Sequence, residues 1–267
     1  MRPFGSWALA ATMVLPLMTG CKPDAAARKA EDLDRGVRPA VATARRQAVD
    51  AATAGSVGGV VRFMGKAPAR VKIDMTMDPV CEMKAGDNYS EQYVVKDGGL
   101  GNVFVYVKSG PAAAMDAAPV SAGPVVLDQR GCRYTPHVIG VMEGGTVEFR
   151  NSDPTMHNIH TMPTVVGNEV IDVSQGPNAE PQRRVFSQPE LMLPVRCNNH
   201  PWMNAFINVS ATPFFAVTGE DGRFDLTGLP AGEYVLGAVH EKLGEQTFPV
   251  TVTAHGTAKA EFRFRMK

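Results

Sequence analysis

From position 57 onward the chain consists of short runs in which apolar and polar residues alternate, cut by Gly and Pro. Alternation with period two sends one face of a segment to a core and the other to water, so these runs predict strands. The candidates are residues 60–64, 103–107, 145–149, 157–161, 206–209, 224–226, 234–240, 247–252 and 260–264. Asp74-Met75-Thr76-Met77 alternates in the same way, and its methionines read as one face of a further strand. Long helices are not indicated, and the expected fold is all-β and sandwich-like.

The chain before position 57 has another character. Arg2, an apolar run over 7–18 and small residues ahead of Cys21 read as a processing segment, 1–20. Met18-Thr19-Gly20-Cys21 resembles the lipobox of bacterial lipoproteins, which implies cleavage before Cys21 and a lipid on it. An ordinary cleaved signal or a membrane-retained helix are the other readings of this run. The lipoprotein reading implies a periplasmic protein anchored to the membrane by its lipid. Lys22 after the cysteine, where Asp is associated with inner-membrane retention, leans towards the outer membrane. Residues 21–55, rich in Ala, Arg and Asp, have too little apolar surface to repay the entropy of ordering and read as a tether.

Charge narrows the partners. The chain has 27 basic and 27 acidic residues, and loss of Arg2 with the processing segment leaves a slight acidic excess. No nucleic acid or polybasic membrane contact is expected. A hydrophobic content of 44% against 20% charged residues supports a packed body, and about 210 residues beyond the tether suffice for two small domains.

With Cys21 assigned to the lipid, Cys81, Cys132 and Cys197 remain, an odd number in an oxidising compartment. Cys197 sits among candidate ligands, so a Cys81–Cys132 disulfide uses the other two. A bridge from Cys197 to one of them is the alternative. No Cys-x-x-Cys-His run is present to attach haem.

The stretch Cys197-Asn198-Asn199-His200-Pro201-Trp202-Met203, with His157 forty positions upstream, holds one thiol, two imidazoles and a thioether. Thiolate and thioether suit Cu(I) and imidazole suits Cu(II), so His157, Cys197, His200 and Met203 form the candidate set for one mononuclear blue-copper site. Three ligands on one short loop come together at little closure cost, while His157 must arrive from another strand. His160, three residues along that strand, points to the opposite face and is left out. His137 reads as a buried structural histidine, with a fifth ligand or a partner contact as the alternative. His240 and His255 are assigned no metal.

These residues, preceded by Gly144-Gly145-Thr146-Val147-Glu148-Phe149 and by the run His157-Asn158-Ile159-His160, resemble the cupredoxin family in its short-loop, amicyanin-like form. The resemblance covers about ninety residues and implies a Greek-key sandwich over 123–212. It also implies an axial Met203, an Asn158 that ties the ligand segments together with its N–H aimed at the thiolate, and an apolar electron-exit patch of Pro201 and Trp202 around the edge of His200.

The flanking runs Gly59-Val60-Val61-Arg62-Phe63, Asn102 to Val107, Asp221-Gly222-Arg223-Phe224 and Leu229-Pro230-Ala231-Gly232-Glu233-Tyr234 resemble the carboxypeptidase regulatory-like (transthyretin-like) sandwich. Neither flank has enough strands to close a core. The expectation is a discontinuous domain, 56–122 and 213–267, with the copper module in one of its loops; a tandem layout is the alternative. The nucleophile elbow, Walker loop, zinc-protease and nucleotide-binding signatures are missing, so no enzyme is expected. The expected function is single-electron carriage with a redox protein partner, a cytochrome or dehydrogenase; copper delivery or storage is the alternative.

Overall fold

The structure is a computed structural model describing residues 48–266 apart from 51, 85, 87 and 120–122. The expected processing segment, lipidation at Cys21 and most of the tether lie outside the described residues.

Three stretches of chain supply the elements. The first holds β1 (Gly55–Phe63), α1 (Pro79–Lys84), β2 (Val95–Lys96), β3 (Gly99–Leu100), β4 (Phe104–Ser109) and α2 (Ala112–Met115). The second holds β5 (Val125–Gln129), β6 (Tyr134–Thr135), β7 (Val138–Met142), β8 (Thr146–Asn151), β9 (His157–Thr161), β10 (Asp172–Gln175), β11 (Gln182–Val185), β12 (Glu190–Arg196) and β13 (Asn204–Ser210). The third holds β14 (Phe215–Val217), β15 (Arg223–Leu229), β16 (Gly232–His240), β17 (Gly244–Val252) and β18 (Thr257–Phe264). The fold is all-β.

Strand pairing joins the first stretch to the third. β1 pairs antiparallel with β15 and β3 and parallel with β18, and β4 pairs antiparallel with β14 and β16. The two sheets share one core, in which Val57 and Val61 of β1 meet Phe224, Leu236 and Phe262. Alternation explains the inward set: in β15 Phe224 and Leu226 are buried while Arg223 and Asp225 are exposed. Gly222 turns the chain into β15 with φ +74, a conformation that an L side chain strains. Among the described residues β17 is an edge, paired only with β16, and tolerates Pro249 there.

The second stretch forms two sheets of its own, ordered β10-β9-β12-β13-β7 and β11-β8-β5-β6. They enclose a separate core that includes Phe149, Ile159, Leu193 and Ile207. Each of the expected strands from 60–64 to 260–264 overlaps an observed one, but in this stretch β5, β6, β7, β10, β11 and β12 were not expected. β12 shows why: a bulge between Glu190 and Leu193, Met192 at φ +52 and Pro194 break the alternation that would reveal it.

The reading of residues 74–77 as a strand is corrected. They form a turn into α1, where Asp74 Oδ1 accepts from the Thr76 N–H and hydroxyl, and Met75 is buried while Met77 is 72% exposed. A short carboxylate that bonds its own backbone two residues on favours a turn over a strand. Phe104, Val138 and Val239 pack in a further cluster between the two cores, with Phe206, Phe215 and Met192 around them.

Candidate metal centre

β12 and β13 are antiparallel, and the last pair before their connection is Arg196 with Asn204. Residues 197–203 are thus a hairpin loop. It is drawn tight by the Cys197 N–H donating to Met203 O at 3.2 Å and the Met203 N–H donating to His200 O at 2.9 Å. β9 lies on the other side of β12 with Arg196 opposite His160, a register that carries Asn158 and His157 past the end of β12 to the loop. Sequence-distant donors therefore meet because two strands end at the same rim.

The inward atoms converge. His157 Nδ1 lies 2.9 Å from His200 Nδ1, and Cys197 Sγ lies 3.6 Å from His200 Nδ1. Ligand atoms of these three residues fall within 4.8 Å of one another. His157, Cys197, His200 and Met203 are all buried, and Met203 packs in the same core as Cys197. Two imidazole nitrogens and a sulfur facing one point in a water-poor setting are a donor set that fits copper.

Asn158 sits where the two segments meet. Its N–H donates to Cys197 Sγ at 3.3 Å, its side-chain oxygen accepts from the Asn198 N–H at 3.2 Å, and its carbonyl accepts the Tyr134 hydroxyl. Burial pushes the Cys197 thiol up, but His157 and the N–H groups of Asn158, Asn199 and His200 outweigh it and hold its pKa below the ordinary thiol value. Such a sulfur is predisposed to the thiolate form that binds metal.

Both ring edges turned away from this point meet carboxylates. His157 Nε2 is 2.9 Å from Asp153 Oδ2, and His200 Nε2 is 2.9 Å from Asp78 Oδ2. Burial presses the Asp153 pKa upward, yet His157 and the N–H groups of Cys132 and Gly131 bring it below the usual range. Asp78 is likewise lowered: burial opposes, and His200, the Val80 and Cys81 N–H groups and Thr155 prevail. A carboxylate on the outer nitrogen fixes the ring and leaves the inner lone pair for a metal.

Sequence reasoning missed both aspartates. Asp153 carries a local signal, four residues before His157, whereas Asp78 is more than a hundred residues from His200 and has none.

Cys81 and Cys132 are bridged, with Cα atoms 5.7 Å apart, and Cys197 is a free, buried cysteine. Trp202 lies beside His200, with ring centroids 5.1 Å apart. Pro201 is exposed, but Trp202 is half-buried against the cluster of Met75, Cys81 and Cys132, and His200 is only 4% exposed. The segment carrying α1 has folded over that edge. His160 stays apart from the converging atoms, with Nδ1 2.9 Å from Asn198 Oδ1. His137 is buried between Asn204 O and Glu241 Oε1, at 3.2 and 2.6 Å.

No protein-family model and no curated protein matches the chain. Solved structures do. A copper-containing nitrite reductase of Thermus scotoductus SA-01 is 28% identical over 39% of this chain, at a TM-score of 0.30, and the match spans 27% of the reductase. A point mutant of amicyanin in its Cu(I) form is 22% identical over 41% of this chain and 99% of its own length, at a TM-score of 0.30. A purple cupredoxin from Nitrosopumilus maritimus is 21% identical over 33% of this chain and all of its own, at a TM-score of 0.27.

Proposed function

We propose that this chain is a cupredoxin-like carrier of single electrons, in which His157, Cys197, His200 and Met203 would hold one copper. The observation that carries this reading is the meeting of two inward ring nitrogens and one sulfur at a buried point, with an amide N–H already on that sulfur. Bound copper would supply a one-electron couple. The chain's own residues keep the donors in place: Asn158 ties loop to strand and lowers electron density on the sulfur, the two aspartates fix the rings, and the surrounding core excludes water. Donors that need not move between oxidation states favour fast transfer.

The same reading takes residues 123–212 as the cupredoxin domain and 56–122 with 213–267 as the regulatory-like sandwich. It makes the protein exported, lipid-anchored at Cys21, periplasmic and without catalytic turnover, serving a redox protein such as a cytochrome or dehydrogenase. Copper delivery or storage is a second reading, and of the two the cover over His200, which leaves a docking partner no open ring edge, favours storage.

Loading the soluble part with Cu(II) and recording visible and electron-spin spectra tests the site. An intense thiolate-to-copper absorption that disappears in Cys197→Ser is expected; colour that survives this substitution defeats the assignment. Reversible voltammetry of the loaded protein separates the carrier from the store.

A further inference from the structure

The two carboxylates that hold the imidazoles come from different parts of the fold, and one covalent bond lies next to both. Asp78 precedes α1. Its Oδ1 accepts the N–H groups of Val80 and Cys81 at 2.8 and 3.3 Å, and its Oδ2 faces His200 Nε2 and accepts from the Thr155 hydroxyl at 3.1 Å. Asp153 is held from the other side: its Oδ1 accepts the Gly131 N–H at 2.7 Å and its Oδ2 the Cys132 N–H at 2.8 Å. The Cys81–Cys132 bond therefore ties the backbone that orients Asp78 to the backbone that orients Asp153. Cys81 Sγ is itself 4.0 Å from His200 Nε2, and the Trp202 ring nitrogen, beside His200, donates to Cys132 O at 3.1 Å.

We propose that the Cys81–Cys132 disulfide is a clamp that makes Asp78 a positioning residue for His200 and Asp153 one for His157, and that seals the outer edge of the candidate metal centre with a segment of this same chain. This rests on the metal reading above. The physical reason is the short reach of each contact. A ring that donates its outer N–H to a fixed carboxylate has one tautomer and one orientation, so its inner nitrogen stays aimed at the metal. α1 has only six residues and closes no core of its own, so a covalent tie is what keeps Asp78 against the ring. A metal leaving the site must first displace this cover.

The test uses the full chain with Asp78→Ala and, separately, Cys81→Ser with Cys132→Ser, both cysteines being changed so that no thiol is freed. Two quantities are read: the rate at which a chelator strips bound Cu(II), and, in the metal-free chain, the tautomer of His200 from its ring 15N shifts. Each variant should lose copper about 10–100-fold faster than the parent, the usual size of such outer contacts. His200, with its proton on Nε2 in the parent, should become a tautomer mixture, and Asp78→Asn, whose single oxygen can meet either the α1 N–H groups or His200 Nε2 but not both, should fall between Asp78→Ala and the parent. Asp78→Ala leaves the disulfide intact and decides the matter if the cysteine pair fails to fold. Stripping within twofold of the parent with the His200 proton still on Nε2 overturns the clamp. Failure of the metal reading has a different signature, a parent chain with no thiolate band, and the 15N result then still decides whether Asp78 sets the ring.

Discussion

At the residue scale, the metal-free site is a coupled set of proton carriers. Burial pulls His157 down, but Asp153 and Cys197 raise it from 6.5 to about 9. A raised pKa contributes stability that is full below pH 6.5 and lost as pH climbs through about 9. Cys197 is depressed from 9.0, so its contribution runs the other way, present above that value and lost as pH falls. The two oppose each other because the proton that an unfolded chain keeps on the thiol sits on the imidazole in the folded one. Urea midpoints of the metal-free protein should therefore stay nearly level between pH 6.5 and 9 in the parent and fall in Cys197→Ser, where the opposing thiol is gone while Asp153 still raises His157, though by less than the pair does. Equal slopes would sink this account. Legibility follows a related line: donor types and loop spacing stand in the local sequence, but the carboxylate on each outer nitrogen is a matter of which turns fold against the rim.

At the element scale, β7 decides how closely the two cores approach. A Cβ on Gly140 would lie 2.6 Å from the Phe104 ring and 2.7 Å from that of Phe215, so the backbone of one sandwich touches aromatic rings of the other. Gly140→Val forces these rings apart and should cost about 1–3 kcal/mol by overpacking. Chemical denaturation checks it, and an unchanged midpoint would mean that the contact is soft. β7 also shows where pattern reading stops. Val138, Ile139, Val141 and Met142 are all buried, because one face meets its own core and the other meets the neighbouring sandwich. Burial on both faces removes the period-two signal that marks a strand wetted on one side. β12 was hidden for another reason, its bulge and proline, whereas β9, β16 and β18 keep their alternation or length and could be read directly.

At the scale of the whole molecule, a buried polar contact spans the two sandwiches. His137, just before β7, and Glu241, just after β16, meet at 2.6 Å with side chains only 4% and 3% exposed. Lys242 reaches the other Glu241 oxygen at 3.7 Å, so the carboxylate keeps one partner if the histidine is lost. His137→Leu should cost about 1–3 kcal/mol for the unmet acceptor, and calorimetry should show one unfolding transition separating into two as the sandwiches uncouple. A single transition at the parent temperature would assign the coupling to the apolar cluster alone.

By itself the sequence determined what is local: the all-β character, through alternation and turn residues; the short loop bringing Cys197, His200 and Met203 together; and the cysteine left over when Cys81 and Cys132 pair. Tertiary structure alone decided that Asp78 caps His200, that a segment of this chain covers that ring edge, and in which register β1 meets the strands more than 150 residues away. Hydrophobic period and turn chemistry act over a few residues and leave their mark in order along the chain. Contacts between distant segments depend on strand register and on which rim a loop reaches, and these are set only when the sheets have packed.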